Sequence, residues 1–125
     1  MAARLVTRSP KSSHITPILK QRHWLPVEQR IVFKLGLLVF KSSHNMAPSY
    51  ISDLITQYAP FRSNLRSADQ RLLVEHNMAN NTWGARAFLV TAGKVWNSLP
   101  YHIRTANTTS SFKTVLKTHL FAVKQ

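Results

Sequence analysis

The sequence predicts a mainly α protein: a small domain of four or five helices with at most one short β-hairpin. Two observations carry this. Apolar residues recur at spacings of three and four along several stretches, which puts them on one face of a helix. Prolines punctuate the pattern at Pro17, Pro26, Pro48, Pro60 and Pro100, where helices start or stop. No repeat and no Gly/Ser linker divides the 125 residues, so the expected organisation is a flexible basic segment over 1–14 and one helical domain over 15–125.

The first 14 residues are polar, basic and without apolar periodicity, and are predicted to lack regular structure. Thr16-Pro17 predicts a helix start, with Thr capping free N–H groups and Pro in the first turn, for a short helix over 17–23. Pro26 opens a second helix over 27–43. There Val27, Ile31, Leu35 and Leu38 share a face, and Val32, Phe33, Leu37, Val39 and Phe40 widen it. Gly36 interrupts it at about 1 kcal/mol against Ala, a sign of close packing. Pro48 begins a third helix with Tyr50, Ile51, Leu54, Ile55 and Tyr58 on one side, ended by Pro60. Residues 59–70 read as a loop. Leu72-Leu73-Val74 predicts a strand over 71–76, Asn77 to Gly84 a turn, and 86–90 the returning strand. A helix over 91–98 carries Ala92, Val95 and Trp96 toward Leu99, and Leu99-Pro100 ends it. Ser110 or Ser111 caps a last helix over 111–122 with Phe112, Val115, Leu116 and Leu120 inward. The expected core is Leu19, Trp24, Ile31, Leu35, Leu38, Ile51, Leu54, Leu73, Phe88, Trp96, Leu99, Phe112, Leu116 and Leu120.

Charge is the anomaly. Seventeen Lys and Arg against four Asp and Glu give 17 − 4 = +13. Residues 1–27 and 77–125 contain no acid at all. Self-repulsion of this size opposes compaction and is relieved by a polyanion, so RNA or DNA is the expected partner. A basic fragment that lacks acidic neighbours reads equally well at this stage. With only Glu28, Asp53, Asp69 and Glu75, chemistry on clustered carboxylates is nearly excluded. With no Cys there is no disulfide, thiolate zinc site or Cys nucleophile. No apolar run approaches the ~20 residues of a membrane span.

The bases have helical register. Arg30, Lys34 and Lys41 fall at i, i+4 and i+11 on the helix over 27–43, and Lys113, Lys117 and Lys124 repeat that spacing at the C-terminus. Two such stripes suit phosphates along a strand or duplex; an ordinary solvated face is the plain alternative. Trp24, Trp83 and Trp96 read as core or hinge anchors rather than base-stacking platforms. The six histidines show no metal-ligand spacing, and there is neither a G-x-S-x-G elbow nor a phosphate-cradling glycine loop. No cofactor, metal or catalytic residue is expected. Asn80-Asn81-Thr82 and Asn107-Thr108-Thr109 match the glycosylation pattern but read as turn residues.

An ordered series of motifs spans the chain. Ala3-Arg4-Leu5-Val6-Thr7-Arg8, His14-Ile15-Thr16-Pro17-Ile18-Leu19-Lys20 and His23-Trp24-Leu25-Pro26-Val27 come first, followed by Arg30-Ile31 and Phe33-Lys34. Ala47-Pro48-Ser49-Tyr50-Ile51-Ser52-Asp53-Leu54, Leu65-Arg66-Ser67 with Asp69-Gln70, and Arg86-Ala87-Phe88 stand in the middle. Trp96-Asn97-Ser98-Leu99-Pro100, Ser110-Ser111-Phe112-Lys113 and Leu116-Lys117-Thr118 close it. The series resembles the C-terminal region of reverse transcriptases from LINE-type (non-LTR, Jockey-like) retrotransposons, over about Ala3 to Phe121. The resemblance implies a region beyond the polymerase palm, at the thumb and C-terminal extension, which holds template and primer. The family's paired catalytic aspartates have no counterpart here, so it implies a non-catalytic fragment of an RNA-directed DNA polymerase. Arg4 and Arg8 belong to the pattern, which argues against reading the acid-free N-terminal residues as an organelle transit peptide.

Three functional expectations follow: a nucleic-acid-binding domain, an interaction or self-associating domain whose apolar faces pair with protein, or an inert translated remnant. Nucleus or cytoplasm is expected ahead of secretion or an organelle.

Overall fold

The computed structural model describes residues 2–59, 66, 70–75 and 85–123, the side chains of 85–87 excepted. Seven helices stand among the described residues: α1 Ala2–Thr7, α2 Ile15–Gln21, α3 Val27–Ser43, α4 Ser49–Ser52, α5 Ala85–Ser98, α6 Tyr101–Arg104 and α7 Thr109–Val123. The protein is mainly helical, as its periodicity predicts. The loop over 60–69, apart from Arg66, and the Asn-rich turn over 77–84 with Trp83 lie outside the described residues, as does Lys124.

The central element is α3. It is crossed by α5 and runs antiparallel to α7, with Gly36 against Leu116, Phe40 stacked on Phe112 at 4.4 Å, and Met46 receiving the Thr109 hydroxyl. Gly36 permits the approach: a Cβ there would sit 3.3 Å from Leu116 Cδ2 and 3.7 Å from both Leu99 Cδ1 and Phe112 Cζ. The core is Val39 and Phe40 from α3, Ala92 and Trp96 from α5, Leu99, Ile103, and Phe112, Leu116 and Leu120 from α7, with Leu25 and Leu73 contributed by connecting segments.

The inward face of α3 is rotated from the expected one. Val27 and Ile31 are exposed, Leu35 and Leu38 half-buried, and Gly36, Val39 and Phe40 point inward. Apolar residues almost encircle this helix, so periodicity alone could not choose a side. The small residue did, by admitting α7. Trp24, expected in the core, is also exposed. Ile51, Leu54 and Phe88 are half-buried, while Leu19, Leu73, Trp96, Leu99, Phe112, Leu116 and Leu120 are buried as expected.

Other boundaries moved for identifiable reasons. Residues 2–7, expected to be irregular, form α1; Ala3 is buried and Arg4 Nη2 donates to the Ser13 carbonyl at 3.1 Å. The helix expected to run from Pro48 toward Pro60 is a single turn, Ser49–Ser52. Beyond it the backbone extends, and Tyr58 N–H and Val74 N–H donate to the Leu72 and Thr56 carbonyls, both at 2.9 Å. Leu73 therefore pairs with Gln57 in an antiparallel bridge, not with 86–90. The expected returning strand is the first part of α5, because Phe88, Ala92 and Val95 extend the helical spacing of that segment backward. Thr108, rather than Ser110 or Ser111, caps α7 by accepting the Ser111 N–H at 3.2 Å.

With only three glycines, helix ends use other residues in left-handed geometry. Arg8, His23 and Asn45 have φ of 52°, 54° and 57°. Each follows a helix whose last carbonyls are closed by a Schellman pair, such as Trp24 N–H to Leu19 O at 2.9 Å with His23 N–H to Lys20 O at 3.1 Å.

The Trp96-Asn97-Ser98-Leu99-Pro100 motif is a structural clamp. Trp96 Nε1 donates to the Arg71 carbonyl at 2.7 Å. Asn97 Oδ1 accepts the Leu73 N–H and Asn97 Nδ2 donates to the Leu73 carbonyl, both at 2.9 Å, so one side chain replaces a neighbouring strand. Pro100 is the N-cap of α6, and Arg104 returns from that helix to donate through Nη1 to the Asn97 and Leu99 carbonyls at 3.1 and 2.9 Å.

Candidate nucleic-acid interface

The turn after α2 shapes the site. His23 in left-handed geometry reverses the chain, Leu25 drops into the core, and Trp24 between them is left 41% exposed. Pro26 then starts α3, whose first two turns carry Arg30 and Lys34 outward. Because α7 is antiparallel to α3, Lys117 comes level with Lys34. The result is a groove of about 320 Å³ lined by His23, Trp24, Leu25, Arg30, Phe33, Lys34 and Lys117. Among the described residues no carboxylate lines it. Trp24 also borders a second groove with Thr16, Leu19, Lys20, Pro26, Leu120 and Phe121. The Lys117 ammonium sits 5.9 Å above the Phe121 ring, which meets His23 edge-on at 6.2 Å. A cation over an aromatic face is attracted by its quadrupole, which steadies Lys117 beside the groove.

Of the six sequence-predicted contact residues, Arg30, Lys34 and Lys117 are brought together around this groove. Lys41 and Lys113 continue the same rows, two turns along α3 and one turn along α7; Lys113 is exposed and Lys41 half-buried. Lys124 lies outside the described residues. Sequence reasoning missed Trp24 and His23. The signal was present in Lys20 to Pro26, where a helix must end within a few residues of a proline and the aromatic between must turn one way or the other.

An apolar groove lies beside the basic one on α3, lined by Val27, Arg30, Ile31, Lys34 and Leu35. At the other end of α3 a fourth cleft gathers Ser43, His44, Gln57, Arg71, Leu73, Trp96 and Arg104. Burial pushes the Arg104 guanidinium below its usual pKa, partly offset by Tyr101. Among the described residues no three His, Asp or Glu side chains gather as a metal site, and no helix is long and apolar enough to cross a membrane.

Compared with known proteins, the chain matches no family model, no curated protein and no solved structure.

Proposed function

We propose that this is a non-catalytic nucleic-acid-binding domain, of the kind found at the tail of a LINE-type reverse transcriptase, and that it holds single-stranded RNA or DNA in the groove between α2, α3 and α7. The observation that carries the reading is the meeting of Arg30, Lys34 and Lys117 beside an exposed indole, with no acid lining the groove among the described residues. Cations spaced along a groove track phosphates, and a flat aromatic accepts an unpaired base of any identity. Both contacts are indifferent to sequence, which suits a part that retains a strand rather than reads it.

The test is a titration of a short labelled single strand at several salt concentrations. Three neutralised phosphates should give a slope of log K against log salt of roughly −2 on single strands and roughly −3 on duplex. Lys34→Ala with Lys117→Ala should remove most of that slope. Trp24→Ala should leave the slope and cost about 1–3 kcal/mol of affinity. Unchanged slopes in the double variant would refute the reading. A second reading rests on exposed Val27 and Ile31, which could pair two copies of the chain. Sedimentation at micromolar concentration separates it, since a monomer of unchanged strand affinity contradicts self-association. Neither binding nor association would leave the inert remnant.

A further inference from the structure

The cleft at the C-terminal end of α3 is built differently from the basic groove, and about 15 Å of helix separates Lys34 from His44. Arg104 is 5% exposed, and among the described residues no carboxylate meets it. Its Nη1 is used on the Asn97 and Leu99 carbonyls, but its Nε is buried and has no acceptor. The Nε edge of a guanidinium, together with the adjoining Nη2–H, is the side that grips an oxyanion with two parallel hydrogen bonds. A structural cap for α5 needs only Nη1, so the cap leaves that edge unexplained.

Four further polar side chains line the same cleft, of which Ser43 is spent on the Val39 carbonyl at 3.0 Å. Arg71 is exposed, and its backbone is pinned by Trp96 Nε1 on its carbonyl. His44 is stacked on Phe40 at 4.1 Å with Nδ1 2.9 Å from the Phe40 carbonyl; because a carbonyl only accepts, Nδ1 carries the proton, which fixes the ring at the edge of the cleft. Gln57 is held at the rim by the bridge to Leu73. The cleft is about 230 Å³, several times the ~30 Å³ share of one water in the liquid.

We propose that this cleft is an oxyanion site that takes a phosphate monoester, gripped by Arg104 and Arg71. Charge favours phosphate over carboxylate. Two arginines line the cleft, and among the described residues no acid does; a phosphate monoester brings about −1.5 to −2 at neutral pH where a carboxylate brings one charge. The monoester is the end of a nucleic-acid strand or a free phosphate such as a mononucleotide, and the experiment separates these sources.

The experiment measures the thermal midpoint of the full chain in inorganic phosphate, with acetate at matched ionic strength as the comparison. Phosphate at about ten times its dissociation constant should raise the midpoint by roughly 4–8 °C. Arg71→Gln, at an exposed position, should abolish the shift without loss of fold, and Arg104→Lys should abolish it too. Lys34→Ala with Lys117→Ala should retain it, which keeps this test independent of the basic groove. In that double variant, a 5′-phosphorylated strand binding at least tenfold tighter than its 5′-hydroxyl form identifies the strand end as the source; phosphate protection without that increment identifies free phosphate. Equal shifts in acetate and phosphate, or an undiminished shift in Arg71→Gln, would overturn the proposal.

Discussion

Replacing Asn97 by Ala tests whether one amide side chain holds the segment over 70–75 to the helical core. In the structure Asn97 makes both backbone hydrogen bonds of Leu73 and a further one, from Nδ2 to Glu75 Oε1 at 3.1 Å. The Glu75 bond is exposed and contributes little. The two to Leu73 are worth about 1 kcal/mol each, and a backbone donor left partly buried without a partner adds about 1–3 kcal/mol. Leu73 itself is 5% exposed, so loosening it also returns apolar surface to water. The expected cost is about 3–5 kcal/mol, read as a fall in the urea midpoint with the slope unchanged. Asn97→Asp sharpens the test. The carboxylate still accepts the Leu73 N–H, but it cannot donate to the Leu73 carbonyl and it faces Glu75. It should therefore lose a comparable amount at neutral pH and recover part of it in acid, where a protonated carboxyl can donate. Loss below about 0.5 kcal/mol for the Ala variant would match an ordinary surface substitution and refute the clamp.

Three further outcomes follow from the same packing. Gly36→Ala should change stability by less than about 1 kcal/mol, because gained helix propensity offsets the close contact with Leu116; Gly36→Val, whose added methyls have no room against that side chain, should cost about 1–3 kcal/mol in chemical denaturation. Trp96→Ala should cost about 3–5 kcal/mol by the same measure, since it empties the stack against Phe112 and strands the Arg71 carbonyl. Asn45→Gly should be neutral or slightly stabilising at its positive φ, whereas Asn45→Val should cost about 1–2 kcal/mol; equal midpoints for the two would mean that the turn after α3 is not left-handed.

The helical architecture was legible because propensity and periodicity agree wherever a segment is buried on one side only, as in α7, where Phe112, Leu116 and Leu120 are all buried as expected. Legibility failed where the pattern was degenerate or the decision lay elsewhere in the chain. On α3 an almost continuous apolar surface left the choice of face to Gly36, and Gly36 could choose only once Leu116 was available. At 86–90 a short apolar run fits strand and helix alike. The Leu73 segment found its partners in Gln57 and Asn97, side by side in space but distant in sequence. α6 was missed because a four-residue turn carries too little period to register.

The rotation of α3 has the largest consequence for the proposed site. Had Ile31 and Leu35 been the buried face, with Trp24 packed beneath them, Arg30 and Lys34 would have stood on a bare solvated side with no concavity. Turning Gly36 inward instead places the bases of α3 along the seam with α7, where antiparallel packing supplies Lys117 at the same level. The left-handed His23 then leaves Trp24 at the open end of that seam. Three cations and an aromatic converge because a single small residue set which side of one helix faces the core. A change at Gly36 that rotates α3 should therefore weaken the proposed strand binding without altering any residue that lines the groove.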